Sequence, residues 1–111
     1  MPTYKKNGAT LTIYTDPSGS ALVVQAPGYH AQIFIPTVDE FPLKRLRSGK
    51  LIAGHTAITA EDEAVVAELV RRKLMTPNQR HSLMFMWRLS ARARTAWIET
   101  KGGFERLLRL R

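Results

Sequence analysis

The chain has 111 residues, 44% of them hydrophobic, with 17 Lys/Arg against 9 Asp/Glu for a formal charge of +8, and no cysteine. That length fits one domain spanning 1–111, and the hydrophobic share is too high for a disordered basic tail. The absence of cysteine excludes disulfide frameworks, thiolate zinc sites and cysteine nucleophiles.

The opening Met1-Pro-Thr-Tyr-Lys-Lys-Asn-Gly carries charge with no apolar stretch behind it, so it does not read as a secretory signal. No apolar run approaches the roughly 20 residues that span a bilayer. The expectation is a soluble, cytoplasmic protein with no membrane partner.

Residues 9 to 36 read as antiparallel strands. Thr10, Leu11, Thr12 and Ile13 alternate in polarity, and Asp16-Pro17-Ser18-Gly19 then punctuates the run. Ala21–Gln25 is a second β-rich run, Pro27-Gly28 the next turn, and Ala31–Ile35 a third run closed by Pro36. Short β-branched runs joined by tight turns favour a meander over a crossover. Asp39-Glu40-Phe41-Pro42 breaks any long element, Ser48-Gly49-Lys50 suits a turn, and Leu51-Ile52-Ala53 offers a fourth strand.

Thr59 opens a helix. Its hydroxyl caps free N–H groups, Glu61, Asp62 and Glu63 meet the positive end of the dipole, and Arg71, Arg72 and Lys73 close the last turn. Val65, Val66, Leu69, Val70 and Leu74 give its apolar face, and Glu68 can pair with Arg72 one turn on. Thr76-Pro77-Asn78-Gln79 restarts the chain as a capping box, predicting one long helix from Pro77 to about Thr100, ended by Gly102-Gly103. Phe104 to Arg111 suits a short final helix, with a strand as the alternative. The fold class is therefore α+β: an N-terminal antiparallel meander of three or four strands (1–58, mainly β), followed by two or three packed helices (59–111, mainly α).

The charge is concentrated late. Residues 69 to 111 hold eleven Lys/Arg and only Glu99 and Glu105, which is 11 − 2 = +9. Residues 1 to 68 hold six basic and seven acidic residues, or −1. Nine of the eleven late cations are arginine, whose planar fork suits phosphate. This points to an anionic partner, either nucleic acid (DNA or RNA) or an acidic protein surface. The candidate contacts are Arg71, Arg72, Lys73, Arg80, Arg88, Arg92 and Arg94, with Lys44, Arg45 and Arg47 from the denser basic run before Lys50. The competing account is a solvated basic face that keeps a small protein soluble.

The long helix reads as apolar on two sides, so it needs two things to pack against. Core packing accounts for this, and a docking or homodimer face through Met84, Met86, Trp87 and Trp97 is the rival. The corner before Thr76 invites comparison with a helix-turn-helix, although the later turns are too apolar to lie exposed in a groove. Tyr4, Tyr14, Tyr29 and Phe34 suggest a stacking platform on the sheet, against ordinary packing between strands. His30, His55 and His81 are widely spaced and show no metal-ligand pattern, so neither metal nor cofactor is expected. Catalytic motifs are equally lacking. The expectation is a non-enzymatic nucleic-acid-binding accessory or regulatory protein, and the alternative is an adaptor or inhibitor that docks through the same surface.

Overall fold

The computed structural model describes residues 1–38 and 58–110 in full and the backbone alone of residues 43–45 and 51–53. Four strands, β1 (Thr3–Lys6), β2 (Ala9–Asp16), β3 (Gly19–Ala26) and β4 (Tyr29–Pro36), form an antiparallel sheet in the order β1-β2-β3-β4. Helices α1 (Ala60–Arg71), α2 (Pro77–Trp87), α3 (Ala91–Glu99) and α4 (Gly103–Leu107) follow. The architecture is α+β, a meander and then helices, as the sequence predicts.

Each hairpin of the meander has a turn dictated by its own residues. Lys6 pairs with Ala9 across Asn7-Gly8, and both turn residues have positive φ, 48° and 79°. That is the type I′ geometry whose twist matches the flanking strands. Asp16 pairs with Gly19 across Pro17-Ser18, and the Ser18 backbone N–H donates to Asp16 Oδ1 at 2.7 Å. This bond places Asp at the first position of the turn, where its side chain satisfies the backbone two residues on. Ala26 pairs with Tyr29 across Pro27-Gly28. Strand β1 lies outside the sequence expectation of strands from residue 9, and its signal was the Asn-Gly dipeptide.

Register sorts the sheet into two faces. Ile13, Leu22 and Ile33 lie side by side and are fully buried, as are their neighbours Leu11, Val24 and Ile35. At roughly 1.5–3 kcal/mol for each fully buried aliphatic side chain, this face drives the sheet onto the helices. Val66, Leu69, Leu74, Met75, Leu83, Met84, Met86, Trp87, Phe104 and Leu108 complete the core from the helical side. The opposite face presents Thr10, Thr12, Gln25, His30 and Gln32, with Tyr14 and Phe34 flanking Ala21. The Phe34 ring lies across Gly19, where an added Cβ would meet it at 2.8 Å.

Residues 51–53 do become a strand, but not a fourth member of the meander. Leu51–Ala53 (β6) pairs with Leu43–Arg45 (β5) in a separate two-stranded sheet. The proposed breaks at 39–42 and 48–50 lie outside the described residues.

The helix starts follow their caps. Thr59 Oγ1 accepts from the Asp62 N–H at 3.1 Å while the Thr59 N–H donates to Asp62 Oδ2 at 3.0 Å. Thr76 and Gln79 form the same reciprocal box at 3.1 and 2.8 Å. Helix α1 ends in a Schellman motif: the Leu74 N–H donates to Leu69 O at 2.9 Å and the Lys73 N–H to Val70 O at 3.1 Å.

The single long helix expected from Pro77 to Thr100 is in fact two. Ser90 interrupts it, its hydroxyl accepting from the Ala93 N–H at 3.2 Å as the N-cap of α3. The carbonyls freed at the end of α2 are taken by Arg94, whose Nη1 donates to Trp87 O at 3.3 Å and to Leu89 O. Among the described residues no helix is long and apolar enough to cross a membrane.

Candidate nucleic-acid interface

Between Glu68 and Glu99 lie thirty residues with no carboxylate and seven Lys/Arg. This stretch is the end of α1, all of α2 and most of α3, so the fold fixes where its charge goes. The cations separate into two groups at opposite ends of α2.

The first group sits at the corner between α1 and α2. Glu68 accepts from Arg71 Nε at 2.9 Å and from Arg72 Nε at 2.8 Å. Those bonds hold the Glu68 carboxyl at a pKa of about 2, below its ordinary 4.5, with the Arg71 hydrogen bond as the largest cause. The Arg72 guanidinium also lies 4.6 Å from the centroid of the Tyr29 ring, a cation–π contact. Burial, with the Glu68 charge behind it, pushes the Tyr29 phenol up and keeps it neutral. Arg71 and Arg72 are thus partly spent on Glu68. Lys73 is exposed, and Arg80 is half-buried in the first turns of α2.

The second group is Arg88, the C-cap of α2, and Arg92, in the first turn of α3. Both are exposed, and neither makes an ion pair among the described residues. Arg80 lies on α2 itself, and the eight residues from it to Arg88 put about 12 Å of helix between the two groups at 1.5 Å per residue. That exceeds a Debye length of about 8 Å at physiological salt, so they act as two centres and not one patch.

The exposed side of α2 links them. Asn78, His81, Ser82 and Phe85 follow one another at helical spacing, Leu89 comes just after the C-cap, and all are exposed. Phe85, in the last turn of α2, is 62% accessible, a large value for an aromatic side chain. The surface therefore runs from cations through hydrogen-bonding groups to an aromatic ring and on to cations, and residues 69–98 that build it include no acid. Phosphates suit the two ends, and a base or another flat group suits the middle.

Three parts of the sequence-based site need correction. Arg94 is no surface contact: it is 1% accessible, and its Nε donates to Pro36 O at 2.6 Å in addition to its bonds at the α2–α3 corner. A guanidinium has five N–H donors in a planar fork, enough to hold three carbonyls spread along the chain from Pro36 to Leu89. The docking face assigned to Met84, Met86 and Trp87 is core, at 8%, 6% and 1% accessible. Trp97 is half-buried and packs edge-on against Phe104, with ring centroids 5.4 Å apart. The large apolar residues that do stand exposed here are Phe85 on α2 and Leu89 just beyond its C-cap. Their signal was that Phe85 lies opposite the Leu83–Trp87 stripe on the helical wheel.

Of the suggested aromatic platform, Tyr4 and Tyr29 face the helices, with Tyr4 Oη donating to Glu105 Oε2 at 2.8 Å, while Tyr14 and Phe34 lie on the open face. Lys44 and Arg45 occupy β5, their side chains lie outside the described residues, and so does Arg47. Among the described residues no three His, Asp or Glu side chains converge as metal ligands would. No protein-family model, curated protein or solved structure gives a significant match to the chain.

Proposed function

We propose that this protein binds nucleic acid through the outer side of α2, as a non-enzymatic accessory or regulatory protein of the cytoplasm. The observation that carries the reading is the carboxylate-free stretch 69–98, in which Phe85 stands exposed between Lys73 and Arg80 on one side and Arg88 and Arg92 on the other. Arginine forks supply the phosphate contacts, and the ring supplies a stacking surface that accepts any base. Such a layout favours single-stranded or locally opened nucleic acid over an intact duplex, whose bases are already stacked.

Fluorescence anisotropy with labelled single-stranded DNA, RNA and duplex DNA across a salt series tests this. Affinity should fall steeply with salt, with a slope that drops by about 1 for each phosphate-contacting arginine removed. Arg88→Glu with Arg92→Glu should abolish binding, and Phe85→Ala should weaken single strands more than duplex. No binding to any of the three at low salt would sink the proposal.

A second reading uses the same surface. Phe85 and Leu89, 62% and 37% accessible and flanked by arginines, would also anchor an acidic amphipathic helix of a protein partner. In that case the charge reversals abolish partner capture while nucleic acid has no effect on it.

A further inference from the structure

The two edges of the meander are protected very differently. Strand β1 is four residues long, carries Lys5 and Lys6, and is tied to α4. Strand β4 is eight residues long, and no Lys, Arg, Asp or Glu occurs anywhere from Pro17 to Val38. Among the described residues it has no charged side chain, no bulge, and no proline before its last residue, three of the devices that guard an edge.

The ladder fixes which backbone groups β4 leaves over. The Thr37 N–H donates to Ser18 O at 2.9 Å, which sets the alternation. Counting back by twos, Ile35, Ile33, Ala31 and Tyr29 exchange bonds with β3, so His30, Gln32 and Phe34 turn their N–H and C=O groups to the outer edge. All three residues are exposed. The edge stops at Pro36, which has no N–H and whose carbonyl already accepts from Arg94 Nε.

We infer that the β4 edge is a self-association surface whose occupant is the β4 edge of a second copy of this chain. An antiparallel pairing with its twofold axis at Gln32 sets Gln32 against the second copy's Gln32 and His30 against the second copy's Phe34. It satisfies all the outward N–H and C=O groups of the three residues on both copies. Centring on Phe34 instead would place Gln32 opposite Pro36, which lacks a donor, and centring on His30 would run into the Pro27-Gly28 turn. The pairing also keeps buried faces together, with Ala31 beside the second copy's Ile33. The strand pair itself brings no like charges together, since β4 carries none, while the cationic helices α1 and α3 that pack beside β4 repel those of the second copy and weaken the dimer. A single strand pair lies at the small end of interface sizes, so the dimer is weak and reversible.

Light scattering and sedimentation on nucleic-acid-free protein test this, independently of the proposed function. Mass should rise from 12.5 kDa towards twice that value with concentration. Raising the salt to about 0.5 M should strengthen the dimer by screening repulsion, the opposite of its effect on nucleic-acid binding. Gln32→Lys, at an exposed position with its neutral fold checked by circular dichroism, sets like charges across the axis and should weaken association about fivefold or more. Mixing Gln32→Lys with Gln32→Glu should restore it as a heterodimer. A monomer that persists to about 0.5 mM, or a dimer indifferent to Gln32→Lys, overturns the inference.

Discussion

Lys6 Nζ donates to the carbonyl oxygen of Leu108 at 3.0 Å, joining the first strand to the end of the last helix. The same ammonium reaches Leu74 O at 3.5 Å, so one lysine serves the C-terminal ends of both α1 and α4. Helix C-termini expose unpaired carbonyls and partial negative charge, and a cation there answers both. Lys6→Met keeps the aliphatic stem and removes the donor. It should cost about 1–2 kcal/mol and lower the melting temperature by roughly 5–10 °C, read by thermal unfolding.

Arg94 should behave as a structural residue. Arg94→Ala strips three carbonyls of their donor at the α2–α3 corner and at the end of β4. The expected loss is about 3 kcal/mol or more in urea unfolding, because one partner of a buried polar set has gone and the other remains. Arg88→Ala, by contrast, should leave stability within about 0.5 kcal/mol and change only nucleic-acid binding.

Two helices end on a cation in a conformation that favours glycine. Lys73 has φ 62° after α1 and Arg109 has φ 54° after α4. The Leu110 N–H donates to Glu105 O at 2.9 Å, so α4 closes with the same Schellman motif as α1. A left-handed backbone costs a side-chain-bearing residue about 1 kcal/mol, which outweighs the few tenths that a cation gains at the dipole. Lys73→Gly and Arg109→Gly should therefore each stabilise the fold, by about 0.5–1 kcal/mol in denaturant unfolding.

Glu68 should give the protein a defined acid response. Its pKa is lowered in the folded state to about 2 from an ordinary 4.5, first by the Arg71 hydrogen bond. A depressed carboxylate adds stability that is fully present above the unfolded pKa and is lost as pH falls through the folded one. Glu68→Gln should thus melt below the parent protein at pH 6, with the difference shrinking from about pH 4.5 and closing near pH 2. A constant difference across that range would show that the ion pairs are not the cause.

The parts of the fold that were legible in the sequence are those decided locally. Asp16-Pro17-Ser18-Gly19 and Pro27-Gly28 fix their turns with neighbouring atoms, and Thr59 and Thr76 cap helices with residues three positions on. The α2–α3 break was partly legible, since Ser90 is a good N-cap residue, but no Gly or Pro marked it. The fate of Arg94 was not legible. Its acceptors include Pro36, 58 residues away in sequence, and nothing local separates it from Arg92, two residues before. The tryptophans and methionines misled for a related reason. A helix that appeared continuous over 24 residues seemed apolar on two sides, whereas two shorter helices each bury one side and leave Phe85 out.

The pairing of β1 with α4 also orders events in time. The hairpins close over a few residues, but Tyr4 reaches Glu105 across 101 positions and Lys6 reaches Leu108 across 102. Contacts so distant along the chain can form only after their loop-closure entropy has been offset by structure between them. The first strand and the last helix should therefore close late, bringing Phe104 and Leu108 into the core as they dock. Their shared contacts predict that this corner of the molecule opens as one unit, with its amide hydrogens exchanging together.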